Sequence, residues 1–130
     1  MIFIMGVVST IDSKRNLVIH SVAGELTLSD IKVAAVKLYD NPDFRADMGI
    51  LVDLRDGTAK DLSNDDIQEF IMMTRAMDEK RGTGRTAFLA ERDVDYGISR
   101  IFKSLLDDTS RRIGVFRDHQ QAIDWLQGKD

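Results

Sequence analysis

Gly49-Ile50-Leu51-Val52-Asp53-Leu54-Arg55-Asp56, followed shortly by Asp61-Leu62-Ser63-Asn64-Asp65-Asp66-Ile67, decides how this chain folds. The first segment reads as a sheet strand over Gly49 to Arg55. Its alternation puts Ile50, Val52 and Leu54 on one face and Leu51, Asp53 and Arg55 on the other, so one face is oilier than its reverse. In the second segment a helix is expected to begin at Ser63, a preferred cap, with Asp65 and Asp66 in the first turn where carboxylates favour the helix dipole. A strand running almost directly into a helix N-terminus is a common place for an anion or ligand, because unpaired backbone N–H groups converge there.

The same two periodicities alternate along the rest of the chain. Two strands come first, Phe3 to Asp12 and Leu17 to Ala23, joined by the polar turn Ser13-Lys14-Arg15-Asn16. Helix 1 opens on a capping box, Thr27 with Asp30, spaces Ile31, Ala34, Ala35 and Leu38 along one side, and ends at Asp40-Asn41-Pro42. Helix 2 carries the stripe Ile67, Phe70, Ile71, Thr74 and Met77. Strand 4 is Thr86 to Glu91, and helix 3 runs from about Asp95 to Leu106, burying Ile98, Ile101, Phe102, Leu105 and Leu106. Strand 5 is Arg112 to Phe116, and helix 4 opens on the capping-box pattern Asp118-His119-Gln120-Gln121 and stops at Gly128.

The order ββαβαβαβα predicts an α/β fold, a mixed, mostly parallel five-stranded sheet with helices mainly on one face. The side carrying Leu51, Asp53 and Arg55 is the one expected to have few helices over it. With 130 residues and no repeat or linker, residues 1–130 read as a single domain. The absence of Cys removes disulfide and thiolate chemistry. A net charge of -4 argues against generic nucleic-acid binding, which needs a basic stripe. The opening apolar run lacks a basic flank and is too short to span a bilayer, so a cytoplasmic protein without a transmembrane segment is expected.

Gly24-Glu25-Leu26 before helix 1, the strand end Asp53-Leu54-Arg55, Tyr96-Gly97 opening helix 3, and Phe116-Arg117-Asp118 with Ala122-Ile123-Asp124-Trp125-Leu126 resemble the SpoIIAA-like group. That group is related to STAS domains and, in fold, to SEC14 or CRAL-TRIO lipid-binding domains. The resemblance implies a non-catalytic regulatory or binding module contacting a protein partner or small ligand. Its alternative is a SEC14-like binder of a lipid or other amphipathic molecule, peripheral at a membrane. A third implied role is an anti-sigma-factor antagonist switched by phosphorylation within a motif matched here by Asp61-Leu62-Ser63-Asn64, which makes Ser63 the candidate phosphosite. Leu62 and Asn64 depart from that motif, and Asp65 and Asp66 would crowd a phosphate.

The residues themselves suggest two further sites. Asp53, Arg55 and Asp56, with Glu91 and Tyr96 if the third and fourth strands are neighbours, form a candidate ligand-binding patch at the carboxyl ends of strands. Met72 lies off the core stripe of helix 2, Val33 and Val36 off that of helix 1, and together with Met73 they form a candidate apolar contact surface. The apolar area left exposed on the helix-poor side of the sheet leads to the expectation of a homodimer. No cofactor or metal site is expected, since His20 and His119 have no ligand spacing. No nucleophile-elbow motif marks an enzyme. Gly82-Thr83-Gly84 reads as a turn, and Lys80, Arg81 and Arg85 as a solvated basic face.

Overall fold

The structure, a computed structural model, describes residues 6–106 and 112–129. Val7, Val8, Thr10 and Ile11 supply the β-branched residues of β1 (Gly6–Asp12), which pairs antiparallel with β2 (Leu17–Glu25) through the expected polar turn. Asn16 supplies the left-handed residue of that turn, with φ of 56°. From there every pairing is parallel: β2 to β3 (Gly49–Asp53), β3 to β5 (Thr86–Leu89), and β5 to β6 (Ile113–Phe116). A two-residue strand, β4 (Gly57–Thr58), pairs with the far end of β2 and makes the sheet six-stranded rather than five-stranded. Two residues are too few to leave a periodicity in the sequence.

The helices are α1 (Leu28–Tyr39), α2 (Asn64–Ala76), the single turn α3 (Asp78–Arg81), α4 (Asp93–Leu106) and α5 (His119–Leu126). The predicted capping box of Thr27 with Asp30 forms reciprocally, and Ser63, expected only as a cap, forms a second reciprocal box with Asp66. At α5 the Asp118 carboxylate accepts from the Gln121 backbone N–H, so the cap forms but without the reciprocal half of the expected capping box. The start of strand 1 at Phe3 lies outside the described residues. Strands 3, 4 and 5 end or begin one to two residues inside their expected limits, at Asp53, Leu89 and Ile113.

Because strands β2, β3, β5 and β6 follow one another across the sheet, right-handed crossovers lay α1, α2 and α4 on the same face. That face carries Val18, Val22, Ile50, Phe88 and Ile113. The expectation for the opposite face needs correction. α5 packs on it, and Ala122, Ile123 and Leu126 meet Leu17, Leu51, Ala87 and Leu89 in a dry cluster. The handedness rule governs only helices between parallel strands, and α5 follows the last strand. It is further held by Arg85, whose Nη1 donates to the Trp125 carbonyl at 2.6 Å and whose guanidinium lies 5.0 Å from the Trp125 ring centroid. Among the described residues no helix covers the β1–β2 half of that face, where Val8, Thr10 and Ser21 are exposed.

α4 also departs from expectation. It begins at Asp93, and its buried line is Asp95, Ser99, Phe102 and Leu106, while Ile101 and Leu105 are exposed. Two polar residues occupy the covered stripe, each held there by hydrogen bonds. Asp95 accepts from Thr58 Oγ1 and from the Ala59 backbone N–H, each at 2.8 Å, and Ser99 donates to the Asp95 carbonyl. The second Asp95 oxygen lies 3.2 Å from Arg92 Nε, an ionic contact without hydrogen-bond alignment. Arg92 in turn donates to the Gly57 carbonyl, so Asp95 and Arg92 clamp β4 against the start of α4.

Candidate functional site

At the carboxyl ends of the parallel strands, Asp53 closes back on Arg55. Arg55 donates to Asp53 from its backbone N at 3.0 Å, from Nε at 3.0 Å and from Nη2 at 2.8 Å. Burial pushes the Asp53 carboxyl upward, but the side-chain and backbone hydrogen bonds from Arg55 outweigh it and hold the group below its ordinary value. The bond to Asp53 likewise raises Arg55, with the charges of Glu91 and Asp56 adding to the effect. Asp53, Arg55, Asp56 and Glu91 therefore do share one electrostatic neighbourhood. Tyr96 instead pairs with Arg117, whose guanidinium stacks 4.1 Å from its ring centroid while bonding the Glu91 carbonyl and the Asp93 carboxylate. The arrangement is a clasp whose strongest bonds are spent between its own members.

Ser63 stands at the N-terminus of α2, where its hydroxyl accepts from the Asp66 N–H at 3.0 Å and its own N–H donates to the Asp66 carboxylate at 3.0 Å. A phosphate on that oxygen would meet Asp66 directly. Val33, Val36 and Met72 are all at least half exposed, as expected, on neighbouring helices that Lys32 and Glu69 bridge at 2.9 Å. Met73 departs from the group and turns inward.

Met73 lines a cavity of about 140 Å³ between the three-helix layer and the sheet. Its floor is made by His20 and Val22 of β2, Ile50 and Val52 of β3, and Thr86 and Phe88 of β5, and its roof by α1 and α2 with the end of α4. The opening follows from small side chains: where a helix usually sends a large residue to the sheet, α1 sends Ala34 and Ala35. This site was not anticipated from the sequence. Among its few polar lining residues are one imidazole and one guanidinium. His20 Nδ1 lies 2.6 Å from Ser9 Oγ on β1, and burial, reinforced by the charge of Arg81, lowers the imidazole pKa to about 4, so the ring is neutral near pH 7.

Arg81 is the second, and it corrects the reading of Lys80-Arg81 and Arg85 as a solvated face. It is buried, donating to the Met48 carbonyl at 3.0 Å, the Arg85 carbonyl at 2.7 Å and Thr86 Oγ1 at 3.0 Å. Arg85 is likewise engaged, on α5. A signal for the cavity did exist in the sequence. His20 falls between Val18 and Val22 on the face that the crossover helices cover, and a polar ring there has to have a purpose or a partner. No group of His, Asp and Glu among the described residues could hold a metal ion.

No family model matches the chain, and no curated protein does. The fold is nevertheless that of a solved structure, an uncharacterised protein of the DUF3478 family from Shewanella loihica PV-4 with a SpoIIAA-like fold. The two superpose with a TM-score of 0.65 over 97% of this chain and 98% of the other, at 18% identity. The chain thus has a SpoIIAA-like α/β fold, as the residues had suggested. No helix among the described residues is long and apolar enough to cross a membrane.

Proposed function

We propose that this domain is a non-catalytic binding module that holds a small amphipathic molecule between its sheet and helices α1 and α2. The cavity is the observation that carries the reading. Protein interiors pack as densely as organic crystals, and an apolar opening of about 140 Å³ between sheet and helices leaves its lining short of the contacts such packing would give. A ligand that fills it restores those contacts. Its lining, mostly aliphatic and aromatic with a few polar groups, has the composition of small-molecule sites.

The non-catalytic part of the reading is supported by the Ser9–His20 pair, the closest approach to a catalytic arrangement. Ser9 engages Nδ1, and among the described residues no carboxylate orients the other ring nitrogen. A membrane-docking carrier is the second reading, favoured by Val33, Val36 and Met72 on the outside of the helices that roof the cavity. Phospho-switching through Ser63 is disfavoured by the Asp66 carboxylate in its capping box. A homodimer is a separate expectation, and light scattering giving a monomer mass at high micromolar concentration would count against it.

Titration of the 15N-labelled protein with cyclohexylmethanol, followed by NMR, tests the cavity reading. Saturable shifts are expected at His20, Ala35, Met73 and Phe88. They are expected to vanish in Ala35→Leu, which fills the space. Shifts confined to surface residues, or none, would overturn the reading.

A further inference from the structure

We infer that the molecule held in this cavity is uncharged, an apolar body of about six carbons carrying at most a neutral head such as a hydroxyl or an amide. The inference rests on the cavity reading above and adds the charge class of the ligand. Size follows from the volume, about 140 Å³, since an opening of about 150 Å³ lined by apolar residues accepts benzene. The body would lie against Val22, Val52 and Phe88.

Charge is excluded by what lines the space. Among the described residues the lining holds no Asp, Glu or Lys, so a cationic head would be buried without a counter-ion. Its one cation is already committed: Arg81 donates to the Met48 carbonyl from Nη1, and to the Arg85 carbonyl and Thr86 Oγ1 from Nη2. Those acceptors stand at the starts of β3 and β5, and turning Arg81 toward an anionic ligand would strip them of this donor. The threonines are turned to the protein as well, Thr86 accepting from Arg81 and Thr74 donating to the Phe70 carbonyl at 2.7 Å. The other titratable groups of the lining are His20, an imidazole with a pKa lowered to about 4, and the phenol of Tyr39, whose ring meets Phe44 edge-on. A neutral molecule gives up little on entering such a space, whereas an ion would lose its hydration without gaining a partner. A carboxylic acid would therefore enter in its protonated form.

Two pairs of ligands matched in shape isolate charge: cyclohexanecarboxamide against cyclohexanecarboxylate, and cyclohexylmethanol against cyclohexylmethylamine. Each is titrated into the full wild-type chain by NMR, with binding read at Ala35, Met73 and Phe88. At pH 7.5 the neutral member of each pair is expected to bind at least about tenfold more tightly. The acid supplies a second readout. Between pH 7.5 and 5.5 its apparent affinity is expected to rise about tenfold per unit, as its protonated fraction does, while that of the carboxamide stays level. His20 stays neutral over that range, so the rise belongs to the ligand. Equal or tighter binding of the charged member of either pair, or an affinity for the acid that fails to rise as pH falls, would overturn the inference while leaving the cavity reading intact. Failure of all four ligands to shift these residues would remove both.

Discussion

At Ser63 two hydrogen bonds of 3.0 Å cross the first turn of α2 in opposite directions; the cap itself was legible in the sequence because capping is a local rule, whereas the return bond to Asp66 was not read there. Ser63→Ala is expected to cost about 0.5–2 kcal/mol in urea melts, whereas Ser63→Asp, itself a good cap, should stay close to wild type apart from repulsion by Asp65 and Asp66. An Ala variant as stable as wild type would mean that the cap contributes nothing. Arg81 shows the opposite case. Nothing in Lys80-Arg81 distinguishes the buried cation from its exposed neighbour, since the choice depends on carbonyls of Met48 and Arg85 that only the tertiary fold presents. Arg81→Lys is therefore expected to lose at least about 1 kcal/mol, because an ammonium cannot reproduce a planar fork. Retained stability in the lysine variant would show that charge alone suffices.

Among the elements, those with a strong period of their own were readable, and those defined by a neighbour were not. α1 and α2 announce themselves by caps and stripes. The position of α5 does not, because its side of the sheet is fixed by whatever space the crossovers leave. Its packing gives a clear contrast: Ile123→Ala, in the dry cluster under α5, is expected to cost about 2–5 kcal/mol, while Met72→Ala on the outer surface of α2 should fall within about 0.5 kcal/mol of wild type. Similar losses at both positions in denaturant melts would contradict the burial assigned to them. The turn Gly82-Thr83-Gly84 also has its reason in another element. A Cβ at Gly84 would strike the Met48 carbonyl oxygen, so the loop can approach β3 only without a side chain.

For the whole molecule, the cavity arises from a mismatch between layers, of which the sequence carries only one trace, the polar ring of His20 between Val18 and Val22. Ala34 and Ala35 read as ordinary stripe residues until the floor opposite them is known to hold His20. That burial has a consequence for the whole protein's response to acid. In the unfolded chain His20 takes up a proton near its ordinary pKa of 6.5, whereas in the folded state the ring resists protonation down to about 4. Between those values the unfolded state binds more protons, so stability falls as pH is lowered through that window. The maximal slope is about 1.4 kcal/mol per pH unit, accumulating to about 3 kcal/mol by pH 4. Below that the folded ring is protonated as well and His20 adds no further loss. Asp53 acts in a separate, lower window: its folded pKa is held below 3.8, so the stability it contributes at neutral pH is lost only as pH falls beneath that value. Urea melts of wild type and His20→Gln at pH 7.5, 5.5, 4.5 and 3 separate the two groups. The wild type is expected to lose stability more steeply than the variant between pH 6.5 and 4, with both declining together below it. Parallel pH profiles across the upper window would mean that His20 is freely protonated in the folded protein, and that the cavity floor is wetter than its lining implies.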